Sequence, residues 1–276
     1  MISACEWIFG DRPLEDVLWL LAGAGYDALE VTGEPARDAG LLAESLAAAG
    51  LRASGTTAVC NWPTSERDLA HPDGDVRRRA VTYYRGCVDL AAQLGAPVVG
   101  LIPTAVGRLD ALSTYEAEWR HAVEGTREIA LYAGEREVAV GVEAINRYET
   151  FLVNRVEQAL ELAADVDVRG VGVIPDAFHM AIEERDSAAA IEAAGSSILA
   201  LHLADTNRLG LGHGQLALTP LIEAAGTIGF AGPFTMEFTA PGPDPFKADK
   251  GPEAMALLES YARESVTLLR GCLAGV

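Results

Sequence analysis

Four residues able to hold a hard cation, Glu143, Asp176, His202 and Glu237, each stand at the end of an apolar, strand-like run in the second half of the chain. They follow one another at steps of 33, 26 and 35 residues, and about 30 residues is the length of one strand–helix–strand unit. Four successive parallel strands would therefore each deliver one oxygen or nitrogen to the same end of a barrel. A carboxylate inside an apolar strand is unfavourable unless it is paired or bound to a metal. Glu143, in Val138-Ala139-Val140-Gly141-Val142-Glu143-Ala144-Ile145, could alone be a structural ion pair. Glu237, in Phe234-Thr235-Met236-Glu237-Phe238, poses the problem again, and neither strand carries a basic residue. A lone histidine such as His202, in Leu199-Ala200-Leu201-His202-Leu203, is usually a satisfied core residue. The spacing of all four is what points to a shared ion. Three carboxylates and one imidazole make a hard, oxygen-rich set, suited to Mn²⁺, with Mg²⁺ or Co²⁺ as substitutes, and not to structural zinc.

The elements that must position these residues alternate from end to end. Strand-like runs cover Ile2–Cys5, Ala28–Val31, Arg52–Val59, Val98–Ile102, Val138–Ile145, Val171–Ile174, Leu199–Leu203 and Phe234–Phe238. Several are almost continuously apolar, as parallel strands covered on both faces are. Between them lie stretches with apolar residues at helical spacing, such as Leu14-Glu15-Asp16-Val17-Leu18-Trp19-Leu20-Leu21. Glycines at Gly25 and Gly95 supply helix stops. Eight such units predict an α/β fold, a closed (β/α)₈ TIM barrel forming a single domain over residues 1–276. No GxGxxG follows the first run, which removes a dinucleotide-binding reading. Two long loops, Asn61 to about Val76 and Thr239 to Phe246, leave the C-terminal ends of strands, where barrels place their chemistry.

Composition excludes other functions. The formal charge of −19 opposes binding to nucleic acid, whose phosphates need Lys and Arg, and opposes anionic membrane surfaces. Half the residues are hydrophobic, enough for a large core without disulfides. The cysteines Cys5, Cys60, Cys87 and Cys272 are scattered, with no CxxC pair, and read as buried thiols. The N-terminal run lacks the features of a signal peptide and no stretch is long enough to span a bilayer, so a cytoplasmic location is expected. Homo-oligomerisation is left open.

The wording around the four residues is more specific. Glu143-Ala144-Ile145-Asn146-Arg147-Tyr148-Glu149-Thr150 resembles the E-P-x-N-R-Y-E-T signature of the ketose 3-epimerases, the tagatose, psicose and ribulose 3-epimerase group. Asp176-Ala177-Phe178-His179-Met180-Ala181-Ile182-Glu183-Glu184 is similar to that group's D-x-x-H-M-x-I-E-E. His202-Leu203-Ala204-Asp205-Thr206-Asn207-Arg208 is similar to its H-x-x-(D/E)-x-x-R. The resemblance to these xylose-isomerase-like barrels covers essentially the whole chain. It implies metal ligands at Glu143, Asp176, His202 and Glu237, and substrate contacts at Glu149, His179 and Arg208. Ala144 and Pro175 depart from the pattern without removing a functional atom. Gly210-Leu211-Gly212-His213-Gly214-Gln215 matches a glycine-rich loop of the same barrels, leaving His213 either in the pocket or exposed. Glu6, Trp7, Asn61 and Trp62 could line a sugar pocket or merely its rim. His71 and His121 lie in polar surroundings and are expected at the surface.

The expected function is a metal-dependent epimerase that inverts C3 of a free ketose through an enediolate. Inversion needs a proton acceptor on one face and a donor on the other, the roles expected of Glu143 and Glu237. Aldose–ketose, inosose or hydroxypyruvate-type isomerisation at the same site is an alternative, as is a C-glycoside-cleaving lyase subunit. A zinc endonuclease of the same barrel class fits poorly with five histidines and the acidic charge. A non-catalytic binding protein would not need the four ligands together with His179 and Arg208.

Overall fold

Parallel strands need crossover helices, and the chain supplies at least one after each of the eight strands described. The computed structural model describes residues 1–61, 65–242, 244 and 246–275. Strand β1 (Ile2–Cys5) leads through a 3₁₀ turn to α1 (Leu14–Ala24), then β2 (Ala28–Gly33) and α2 (Ala39–Ala48). Next come β3 (Arg52–Ala58), α3 (Gly74–Leu94), β4 (Val98–Leu101), α4 (Tyr115–Gly134), β5 (Ala139–Glu143) and α5 (Val156–Val166). The chain closes with β6 (Val171–Ile174), α6 (Ala177–Glu183), α7 (Ser187–Ala194), β7 (Leu201–Leu203), α8 (Leu218–Thr227), β8 (Phe234–Met236) and α9 (Gly251–Leu273). Local signals set the helix ends. Asp73 and Thr114 cap α3 and α4 through their side chains, and Gly25 and Gly95 end α1 and α3 in the left-handed conformation.

All eight strands are parallel, in the order β6-β5-β4-β3-β2-β1-β8-β7. The two ends of this sheet meet through isolated bridges, Val173 with Ile198 and Asp176 with His202. The amides of Leu199 and His202 donate to the carbonyls of Val173 and Pro175 at 3.0 and 2.9 Å. The result is the expected TIM barrel, nearly closed. Several strands end earlier than their apolar runs: β5 stops at Glu143, β7 begins at Leu201 and β8 stops at Met236. β5 and β8 thus stop at the mouth before their apolar runs do, whereas β7 starts late at the opposite end of the barrel.

Strand residues alternate between two cores. Outward side chains such as Val99, Leu101, Val140, Val142 and Met236 join the large apolar layer under the helices. Inside the barrel, Val98, Ile174 and Ala200 form a separate small cluster. Glycine makes that interior possible, because a Cβ on Gly141 would sit 2.5 Å from the Ile174 side chain. Above this floor the inward positions turn polar, and the site begins.

Three loops at the mouth are tied together by a buried charge cluster. Arg108 pairs with Asp68 at 2.8 Å and with Glu118 at 2.5 Å, and all three are buried. Its guanidinium also lies over Phe151, 4.7 Å from the ring centre. Nearby, the amides of Val106 and Gly107 donate to the carbonyls of Cys60 and Glu149 at 2.8 and 2.6 Å. The loops after β3, β4 and β5 thereby become one wall. Arg108→Ala would strand two buried carboxylates and is expected to lower stability by about 3–5 kcal/mol, read from urea unfolding.

Candidate active site and metal centre

Glu143 is the last residue of β5, His202 the centre of β7, and Asp176 and Glu237 lie just past β6 and β8. The structure brings all four together: one ligand atom from each falls within 4.8 Å of the others, and every one is buried. The Nδ1 of His202 faces Glu237 at 3.0 Å and Glu143 at 3.3 Å. Asp176 divides its oxygens. Oδ1 caps α6 by accepting the amide of Phe178 at 2.8 Å, which turns Oδ2 toward Arg208 at 3.2 Å. A helix cap thus fixes the rotamer of a site carboxylate. This oxygen-rich, net-anionic donor set fits a divalent hard cation.

Charge is unevenly held across the cluster. Burial, reinforced by Glu237, pushes the Glu143 carboxyl up to about 7. Burial also raises Glu237, but His202 and Arg208 outweigh it and hold that group well below the usual range. For His202 burial opposes the charge, yet Glu30, Glu237 and Glu143 outweigh it and raise the imidazole well above its ordinary value. Two glutamates with such different proton affinities are an arrangement suited to acid–base work.

The residues expected to touch substrate gather on the same side. Arg208 is 8% exposed, and its guanidinium reaches Asp176 and Glu237 at 3.2 and 3.3 Å while lying over the Phe178 ring. It is a pocket residue and not a surface loop cation. The Nδ1 of His179 accepts the Asn146 amide at 3.3 Å and faces its side-chain nitrogen at 2.7 Å. The ring proton therefore sits on Nε2, which points at Arg208 and Asp176. Burial drives the pKa of His179 down to about 3, so the ring is a neutral donor. The second amino hydrogen of Asn146 serves Glu149 Oε1 at 2.9 Å. Asn146 thus orients two substrate-contact candidates at once.

These groups open into a cavity of about 290 Å³ lined also by Trp7, Thr57, Cys60, Asn61, Val106 and Phe246. Trp7 donates its indole N–H to Glu237 at 2.9 Å and stacks on Phe246 at 5.6 Å between ring centres. Of the rim residues singled out from sequence, Trp7 and Asn61 line the cavity. Glu6 instead pairs with Arg37 at 2.6 Å, and Trp62 lies outside the described residues. His213 is exposed, held by Glu264 at 2.5 Å. His71 and His121, expected at the surface, are half-buried. Cys5, Cys60 and Cys87 are buried and unpaired as disulfides, and Cys272 is half-buried.

Several residues of the motifs support the site without facing it. Arg147 forms a bidentate pair with Glu183 at 2.5–3.1 Å, clamping the first motif to the second. Sequence reading missed Glu30, a buried carboxylate that contacts Cys5, Thr57 and the Nε2 of His202. Its signal was present, since Ala28-Leu29-Glu30-Val31 places a carboxylate in an apolar strand just as Glu143 is placed. The role of Asp205 was also missed.

A family model described as xylose isomerase-like TIM barrel matches residues 19–261. A curated relative, the D-psicose 3-epimerase of Ruminiclostridium cellulolyticum, is 30% identical over 220 residues, covering 79% of this chain and 75% of the relative. The solved structure of an L-ribulose 3-epimerase superposes with a TM-score of 0.87 at 25% identity, covering 99% of this chain and 94% of that one. A D-psicose 3-epimerase from Clostridium cellulolyticum, solved with D-tagatose, gives a TM-score of 0.86 at 24% identity, covering 98% of both chains. Among the described residues, no helix is long and apolar enough to cross a membrane.

Arg208 depends on Asp205 for its placement. Asp205 accepts the amides of Thr206, Gly212 and Leu216 at 2.7–2.9 Å, folding the loop back on itself. Its carbonyl accepts the amide of Arg208, which adopts a left-handed φ of 58°. Burial would raise the Asp205 carboxyl, but the donated amides hold it below the usual range. The stabilisation is therefore present above the ordinary carboxylate pKa and lost as pH falls through the depressed one. Asp205→Asn should cost about 1–3 kcal/mol near neutral pH. The gap from wild type should narrow in urea titrations repeated at successively lower pH.

Proposed function

The chain belongs to the xylose isomerase-like TIM barrel family, in its ketose 3-epimerase group, and we propose that it inverts C3 of a free ketose with the help of a divalent cation. The observation that carries this reading is the convergence of Glu143 and Glu237, from strands three apart around the barrel, on one buried cluster. The activities named for its relatives, D-psicose and L-ribulose 3-epimerases, support it. So does the scarcity of positive charge. Among the described cavity-lining residues Arg208 is the one arginine or lysine, and carboxylates already engage it. A phosphorylated sugar would find no free partner there.

Glu143, Asp176, His202 and Glu237 would hold the cation, Mn²⁺ by preference with Mg²⁺ or Co²⁺ as substitutes. When bound it supplies Lewis acidity to vicinal sugar oxygens. One glutamate takes the C3 proton, and the bond's electron pair enters an enediolate across C2 and C3. The other glutamate returns a proton to the opposite face of C3. Arg208 keeps a fixed positive charge beside the developing oxyanion, and the Nε2–H of His179 donates to a substrate oxygen. Glu149 accepts from a hydroxyl, and the stacked Trp7–Phe246 pair offers an apolar wall to the sugar.

Chelation should abolish turnover, and Mn²⁺, Co²⁺ or Mg²⁺ should restore it. Proton NMR of a ketose panel in D₂O should then show deuterium at C3 in both epimers. Label at C1 or C2 would assign an isomerase instead, and full activity in metal-free protein would remove the cation from the reaction.

Glu143→Gln and Glu237→Gln keep a ligating oxygen but cannot carry the proton. Each should lower kcat by about 10²–10⁴ with a much smaller change in KM. Arg208→Ala and His179→Ala should lower kcat while leaving metal content unchanged by elemental analysis. Metal loss in these two variants would place them in the ligand shell.

A further inference from the structure

Beside the proposed metal centre, on the Nε2 edge of the His202 ring, a second polar cluster is built around Glu30. This side chain points into the barrel from β2 and is 1% exposed. It lies against the far edge of the His202 ring, with its two oxygens 3.3 and 3.4 Å from Nε2. Its Oε2 is also met by the Cys5 thiol at 3.0 Å and by the Thr57 hydroxyl. Gly55 makes room, since a Cβ there would stand 3.3 Å from Oε1 of Glu30.

The direction of these bonds follows from what each group can do. A carboxylate is an acceptor, whereas thiol, hydroxyl and imidazole N–H can all donate. With Cys5 and Thr57 directed at Oε2, Oε1 remains to accept from Nε2 of His202. The opposite nitrogen, Nδ1, faces Glu143 and Glu237. An imidazole can ligate a metal only through a nitrogen without a proton, so a ligating His202 must carry its single proton on Nε2. Glu30 is placed where that proton needs an acceptor.

We infer that Glu30 is a positioning residue that selects the ligating tautomer of His202 and raises its donor strength, while Cys5 and Thr57 hold Glu30 in place. The inference rests on the reading of Glu143, Asp176, His202 and Glu237 as a metal centre. A carboxylate behind a metal-bound imidazole fixes ring orientation and ligand basicity, and its loss typically weakens metal binding by about 10–100-fold. Glutamine at this position has nearly the same shape but can turn its amino group toward Nε2. That contact favours the proton on Nδ1, the nitrogen needed by the metal.

The test is calorimetric titration of metal-stripped protein with Mn²⁺ and Co²⁺, for wild type, Glu30→Gln and Thr57→Val. Glu30→Gln should bind about 10–100-fold more weakly, and Thr57→Val should be weakened less. The melting temperature of the metal-free proteins controls for folding. Ring-nitrogen NMR of the Mg²⁺-loaded wild type should show His202 protonated at Nε2 alone, a reading made simpler by a total of five histidines. Wild type that binds metal, together with a folded Glu30→Gln that binds equally well, would overturn the inference and leave the metal centre standing. A His202 proton on Nδ1 in the loaded wild type would overturn it as well. Wild type that binds no divalent cation would overturn both.

Discussion

Like charges crowded into a dry space repel strongly, and the mouth of this barrel concentrates carboxylates beyond what its own cations neutralise. Glu143, Asp176 and Glu237 lie within one cluster, with Glu30 behind it and Glu149 beside it. Against them stand the Arg208 guanidinium and the His202 ring. Much of the surrounding architecture serves that imbalance. The α6 cap fixes Asp176, the indole of Trp7 steadies Glu237, and the left-handed turn at Arg208 brings a buried guanidinium to two carboxylates. A cation drawn into such a place meets ligands already oriented, so little reorganisation accompanies its binding.

The same imbalance explains how much of the site was legible in the chain. A buried strand reads as a continuous apolar run, and a carboxylate inside one stands out, so Glu143 and Glu237 announce themselves. Asp176 and His202 become visible through their spacing, because barrel geometry repeats with each strand and helix. Arg208 is different. Thr206-Asn207-Arg208-Leu209-Gly210 looks like any polar loop, and its burial depends on three amides folding around Asp205. Local sequence does not encode that, and the family motif alone pointed to it. Contacts such as Trp7 with Glu237, or Glu30 with His202, join residues 230 and 172 positions apart and arise only when the barrel closes. The fate of His213 followed from a partner on α9, which no reading of its own glycine-rich loop could supply.

Conserving a motif's form and using its side chains in chemistry are separate matters in this structure. Arg147 and Glu183 belong to two different motifs, yet they face one another and not the cavity. Their bidentate pair locks the loop after β5 to the end of α6, which carries His179 near its start. Asn146 completes the arrangement from inside by holding His179 and Glu149 together. Position, more than direct contact, is what these residues contribute.

The barrel's seam gives the four-residue cluster a further meaning. The ends of the sheet meet at β6 and β7, joined by isolated bridges, one of them between Asp176 and His202. Glu143 and Asp176 belong to one edge of the seam, and His202 and Glu237 to the other. A chain with the seam still open would hold the four side chains as two separated pairs. The gathered cluster therefore exists only where the ring has closed. An ion seated there would act as a rivet across the join, tying the proposed catalytic site to a closed barrel.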